Sequence, residues 1–309
     1  MEEYTLFENV QDFGSFLNEN KFNEFAAKIK LKPIDRQPQH FLDVELSNRS
    51  TETLIIALAG AYKMDIEKQL PFYIAKGFKN KVNASIAYIG DPSIYLDDVR
   101  LGWYAGDRNN HIQISLVNIF KQIIKATNAR RVIFFGGSGG GFASLFYSKY
   151  FENSLSLIWN PQIFIEKYDA ARFKVVDEYA RAAFNCKREE LSNHICSDLS
   201  EHFIENKNKN HILYMQNITD KHVQRDLIPF CEKVCLAEKF QELNFEKEST
   251  QTIDENFILH MHNWSLGHKP PPRNILLYLL STLSEDGCQW DPTTFATVLE
   301  KCDSLALSQ

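Results

Sequence analysis

The chain has 309 residues, 44% apolar and 24% charged, ordinary globular proportions that exclude a disordered tail, a collagen-like repeat or a fibrous polymer. Its 34 basic and 40 acidic residues leave a net charge of −6, which argues against a sequence-independent grip on nucleic acid or anionic lipid. No run approaches the roughly 18 apolar residues of a spanning helix, and the opening MEEYTLFENV is acidic where a secretory leader is basic and then apolar, so a soluble cytoplasmic protein without a transmembrane segment is expected.

Residues 41–60, FLDVELSNRSTETLIIALAG, read as an alternating strand, a polar turn at 48–51 and a more uniformly apolar strand ending at Gly60. That pattern predicts a hairpin entering a sheet. ASIAYIG (84–90) and RVIFFGG (131–137) are short apolar runs that stop at glycine, with helical periodicity over 112–126 between them. LSLIWN (155–160), HILYMQN (211–217) and NFILHMHNW (256–264) continue the series, with helical stretches near 143–151, 224–237 and 273–283. Strand and helix alternate, so the expected fold is a single α/β domain over residues 1–309, a mostly parallel sheet flanked by helices on both faces. Residues 163–210 break the rhythm with two helical segments and no strand, and are expected to form a helical cap inserted over the strand ends. Cys186, Cys196, Cys231, Cys235, Cys288 and Cys302 follow no paired metal-ligand spacing and are expected to be reduced thiols.

The richest segment is RVIFFGGSGGGFASLFYSKY, a strand, then Gly136-Gly137-Ser138-Gly139-Gly140, then a helix. This is G-x-S-x-G in the strand-turn-helix setting of a nucleophile elbow. The serine sits on a tight turn, and side chains two positions either side would collide, hence Gly136 and Gly140. The helix start aims free N–H groups at the place where an acyl oxyanion forms, with the Gly139 N–H as first donor. A phosphate loop lacks its lysine here, and G-x-G-x-x-G finds no register.

A serine hydroxyl needs a base, and the base an orienting acid. Asp220 lies three residues beyond the strand 211–217, and His268 lies on a glycine-led loop after 256–264, before Pro270–Pro272 stiffen the approach to the next helix. His222 would have to reach the serine from the acid's own loop. His260 and His262 share one strand face and read as packed histidines, and as a metal pair they lack a third ligand. The second oxyanion donor is expected from the turn after LIIALAG, the N–H of Ala61 or Tyr62 beside Gly60.

With these residues in place, the chain resembles the α/β-hydrolase superfamily over 41–283. More narrowly, GDPSIYLDDVRLGWYAGD (90–107), GGSGGGFASL (136–145), MQNITDKH (215–222) and GHKPPP (267–272) resemble a bacterial group associated with capsular and other surface-glycan biosynthesis, which is similar to the glycan O-acetyltransferases of accessory secretion systems. The resemblance implies an acyl-transfer centre of Ser138, Asp220 and His268, a carbohydrate or small ester as substrate, no metal, and no cofactor other than acetyl-CoA as acyl donor. One departure is that both x positions of the elbow, Gly137 and Gly139, are glycine, which would loosen the serine. In the 90–107 loop, Trp103 and Tyr104 are expected to stack on a sugar, with Arg100 or Asp98 binding hydroxyls. The rival reading is a catalytically silent hydrolase fold acting as a binding or assembly subunit of a glycan-export machine; nothing marks a peptide pocket.

Overall fold

The computed structural model describes residues 4–34, 40–63, 67–96, 98–168, 174–205 and 210–306. In chain order its elements are β1 (Thr5–Phe7), α1 (Val10–Glu19), β2 (Glu24–Lys30), β3 (Phe41–Ser47), β4 (Thr53–Leu58), β5 (Ser85–Ile89), α2 (Ile112–Thr127), β6 (Arg131–Gly137), α3 (Gly139–Ser148) and β7 (Ser154–Trp159). There follow α4 (Val175–Tyr179), α5 (Leu199–Glu205), β8 (His211–Asn217), α6 (Ile228–Val234), α7 (Ala237–Glu242), β9 (Ser249–Asp254), β10 (Phe257–His262), α8 (Arg273–Leu283) and α9 (Pro292–Ala306).

All ten strands form one sheet in the order β1-β2-β3-β5-β4-β6-β7-β8-β10-β9. The run from β5 to β10 is parallel throughout, and among the described strands the antiparallel pairings are β2–β3, β3–β5 and β9–β10. Every residue of β4 and β5 is buried, as expected of strands covered on both faces. One layer packs Phe13, Phe120 and Phe142 of α1, α2 and α3 on the sheet; the opposite layer packs Leu279 and Leu280 of α8 and Phe295 and Leu299 of α9 against Ile55, Ile133 and Phe135. Burying each such side chain stabilises the fold by about 1.5–3 kcal/mol.

The expected hairpin does not form. β3 and β4 are separated by β5, which pairs antiparallel with the first and parallel with the second. The cause lies in the two patterns: the uniformly apolar β4 takes a central place between two parallel neighbours, whereas β3, carrying Asp43, Glu45 and Ser47, fits nearer an edge. The sequence reading also passed over β1–α1–β2, β9 and α9.

In the insertion, residues 169–173 and 206–209 lie outside the described residues. The rest is helical, with α4 widening into a π turn at Ala180–Phe184, a 3-10 turn at Arg188–Asn193, and α5. Ile163, Tyr179 and Leu199 bury it against the same layer as α3. All six cysteines are free thiols, Cys231 and Cys302 buried and the rest half-buried. Among the described residues no helix is long and apolar enough to cross a membrane.

Candidate active site

Ser138 occupies the single residue between β6 and α3, at φ 55° and ψ −123°. A non-glycine residue there carries about 1–3 kcal/mol of backbone strain, sustained only where neighbours over-determine it. They do: the Ser138 N–H donates to the Trp159 carbonyl (3.1 Å), and its own carbonyl accepts the N–H groups of Phe142 (3.1 Å) and Gln162 (3.2 Å). The flanking glycines answer to contact. A Cβ on Gly136 would lie 2.4 Å from the Gly140 carbonyl oxygen, and one on Gly140 would lie 2.2 Å from that of Leu58. Gly137 is glycine because the Trp159 indole lies on it, 2.0 Å from where a Cβ would stand, so the departure at this position is filled by packing.

Asp220 follows β8, and His268 is on the loop after β10. Parallel neighbours deliver their loops to the same rim of the sheet, and here the two side chains meet, His268 Nδ1 at 2.5 Å from Asp220 Oδ2. Asp220 is buried, while the His268 side chain is 42% exposed. Burial opposes charge on Asp220, but the hydrogen bond from His268, the nearby imidazoles and the His222 N–H outweigh it and hold the carboxyl below the usual aspartate value. The histidine loop is anchored from below: Asn217 Nδ2 donates to the carbonyls of Ser265 and Gly267 (both 2.6 Å), and Asn160 Nδ2 to that of Lys269 (2.7 Å).

Ser138 Oγ is not hydrogen-bonded to His268 in this arrangement. Its partner is Gln162, whose Nε2 donates to it at 3.1 Å. Gln162 is fully buried, and its Oε1 accepts the indole N–H of Trp103. Indole only donates, so that bond sets which end of the amide faces the serine. Sequence reasoning missed Gln162. Its one signal was a polar residue just past an apolar strand, in Asn160-Pro161-Gln162.

The 90–107 loop departs from expectation. Trp103 and Tyr104 are 1% and 0% exposed, so neither is a stacking surface for a sugar. Trp103 packs between Tyr168 and Tyr179. The Tyr104 hydroxyl accepts the Ala59 N–H (2.7 Å) and donates to the Ile89 carbonyl (2.9 Å). Both hold left-handed backbone, φ 52° and 57°, fixed by buried Asp91, whose Oδ2 accepts the N–H groups of Gly102 and Tyr104. Tyr62 is corrected too, because its N–H donates to the Arg100 carbonyl (2.7 Å) and is not available to an oxyanion. That leaves the N–H of exposed Ala61, which has no partner among the described residues, next in the chain to Gly60, where a Cβ would lie 3.8 Å from the Gly139 nitrogen. Arg100 is half-buried, its guanidinium over the Tyr62 ring (5.5 Å) and bonded to the Lys63 carbonyl, and Asp98 is exposed.

No family model and no curated protein matches the sequence. Solved structures do. The capsule O-acetyltransferase of Neisseria meningitidis serogroup A superposes over 90% of this chain and 98% of its own, with a TM-score of 0.53 at 14% identity. In complex with CoA the same enzyme gives 0.50 over 87% and 94%, at 14% identity. The Gap123 glycosylation-associated complex from Streptococcus agalactiae gives 0.50 at 14% identity over 85% of this chain and 47% of that one, and the uncomplexed acylaminoacyl peptidase of Pyrococcus horikoshii 0.50 at 11% over 93% and 46%. This is the α/β-hydrolase fold.

Within that hydrolase fold a largely apolar pocket of about 440 Å³ is lined by Ile74, Phe78, Phe135, Trp159, Pro270, Arg273 and Leu276, and its Trp159 is the indole that packs on Gly137 of the elbow. Asp220, His222 and His268 are close enough together for metal ligands. Yet His222 has no lone pair to give, since one ring nitrogen faces Asp226 (2.8 Å) and the other accepts from Arg225 (2.8 Å). His260 and His262 lie away from the elbow, packed on Trp264, with His260 bonded to Thr250 (2.9 Å) and both facing Asp303 of α9.

Proposed function

We propose that this protein is a serine-dependent acyl-transfer enzyme acting on a glycan, as an O-acetyltransferase or a carbohydrate esterase. The observation that carries the reading is the strained backbone of Ser138 at a strand-to-helix turn, on the sheet rim that also bears a buried acid paired with a histidine. A carboxylate only accepts, so Asp220 fixes the proton on His268 Nδ1 and leaves the Nε2 lone pair as the base. As the substrate enters, rotation of the exposed ring brings Nε2 to the serine hydroxyl, a contact that commonly tightens only in the Michaelis complex. Gln162, donating to Oγ, leaves the serine proton free to point to that base.

In the reaction, Oγ attacks the acyl carbonyl while its proton passes to His268 Nε2. The N–H groups of Gly139 and Ala61 receive the oxyanion. Collapse expels the thiolate or alcohol with the proton from His268, leaving an acyl-serine. A sugar hydroxyl, deprotonated by the same imidazole, then takes the acyl group and regenerates the serine; water in its place makes the enzyme an esterase. Acetyl-CoA is the proposed donor and the pocket beside Trp159 the proposed seat for donor or acceptor, in a cytoplasmic protein.

A fluorophosphonate probe should label the folded protein and fail on Ser138→Ala. Thiol release from acetyl-CoA that requires added polysaccharide distinguishes transferase from esterase. A second reading, a silent assembly subunit, draws on the Gap123 neighbour and on a serine held by Gln162 instead of histidine. Unlabelled but properly folded protein would favour it.

A further inference from the structure

Next to the Asp220–His268 pair lies a second acid–histidine pair that the reaction above does not use. Asp226 is fully buried. Its Oδ1 accepts the N–H of Ile163 (2.8 Å) and, more distantly, that of Phe164 (3.4 Å), the residues that follow Gln162. Its Oδ2 faces His222 Nδ1 (2.8 Å) and accepts from Arg225 Nε (2.9 Å). The His222 ring lies against that of His268, centroids 4.5 Å apart and planes inclined by 30°. Thus one carboxylate grips, on one side, the backbone that carries the serine's partner and, on the other, the ring on which the base rests. We propose that Asp226 and His222 are positioning residues that hold Ser138 and His268 in reactive register.

The protonation pattern fits the task. With Asp226 accepting at Nδ1 and Arg225 donating to Nε2, His222 is neutral. Burial favours the same state, partly opposed by Asp226. A neutral aromatic face is what the base needs beside it, because His268 becomes a cation during attack and a cation over a ring is attracted, whereas a second imidazolium would repel it. A buried carboxylate is costly to keep, and in a purely structural role an amide would serve the Ile163 N–H as well.

The assignment rests on the acyl-transfer reading, and hydrolysis of p-nitrophenyl acetate by the full chain tests the two separately. Ser138-dependent turnover in the wild type upholds the parent reading; its absence overturns both. Given turnover, His222→Ala should lower kcat about 30-fold with KM within about twofold, the pattern of misplacement rather than lost binding. His222→Phe should recover most of that loss, to within about fivefold of wild type, by restoring the ring face. Asp226→Asn should lower kcat about tenfold while Tm falls by no more than a few degrees. Wild-type kcat in both His222→Ala and Asp226→Asn overturns the proposal. So does a loss that tracks Tm and is not recovered by phenylalanine.

Discussion

Two loops on the same rim of the sheet have opposite characters. Residues 90–107, read from sequence as an exposed aromatic surface, are sunk in the molecule, with Trp103 and Tyr104 almost fully buried, whereas the histidine loop carries Leu266 at 84% exposed and a half-open His268. The first loop acts at one remove. Tyr104 holds Ala59, the Arg100 carbonyl holds Tyr62, and Trp103 turns Gln162 toward the serine. The second presents the imidazole of His268 at the surface. The difference teaches that a polar loop sequence containing aromatics does not by itself mean a binding surface; where the aromatics also carry hydrogen-bonding tips, they are equally suited to bracing a site from within.

The contrast can be broken from either side. The largest effect is expected on the open loop's pair: Asp220→Asn should lower turnover by about 10⁴-fold with the fold intact, because the imidazole loses its orienter. Ester hydrolysis alongside a melting curve checks it, and wild-type rates would point to another acid. On the buried side, Trp103→Ala should cost about 3–5 kcal/mol in urea unfolding, the loss of a large core side chain. A change confined to KM for a glycan, with stability unmoved, would instead restore the sugar-stacking role.

Gln162→Leu sits between the two loops. It strands the Trp103 indole N–H and releases Ser138 Oγ, so about 1–3 kcal/mol of stability and a fall in kcat should go together. Acid should act through Asp220. Its folded carboxyl is held below the usual aspartate value of about 3.9, so the stability it contributes is present above that pH and lost as pH falls through the folded value. Unfolding free energies from pH 6 to pH 3 should decline less steeply in Asp220→Asn than in wild type. The smallest effect belongs to the exposed loop's apolar tip, where Leu266→Ser should move stability by no more than about 0.5 kcal/mol.

Much of the architecture was legible because its signals are local. Four apolar runs ending at glycine or a polar residue became β5, β6, β7 and β8, and Gly136 of the elbow answers to a contact within five residues, the Gly140 carbonyl, whereas Gly137 and Gly140 answer to Trp159 and Leu58, far away in the chain. Asp220 and His268 were found by counting from strand ends, and they meet. What stayed hidden depends on partners distant in the chain. Residues 41–60 show that β4 is the more apolar of the two strands, but which strand comes between it and β3 depends on β5, more than twenty positions further on. Gln162 acquires its meaning from Trp103, 59 positions earlier, and the Tyr62 N–H loses its availability to a carbonyl 38 positions on. Asp226 reads as one more helical acid until Ile163 is placed against it.

The amides of Asn160 and Asn217 pin the carbonyls of Ser265, Gly267 and Lys269 on both sides of His268. With the main chain held before and after it, the half-exposed imidazole is left its own two side-chain torsions, like a pointer on a fixed axle. Swings of that kind take picoseconds to nanoseconds at an open position, so under the proposed acyl-transfer reading the ring would meet the serine by a change of rotamer, without a slow rearrangement of the loop.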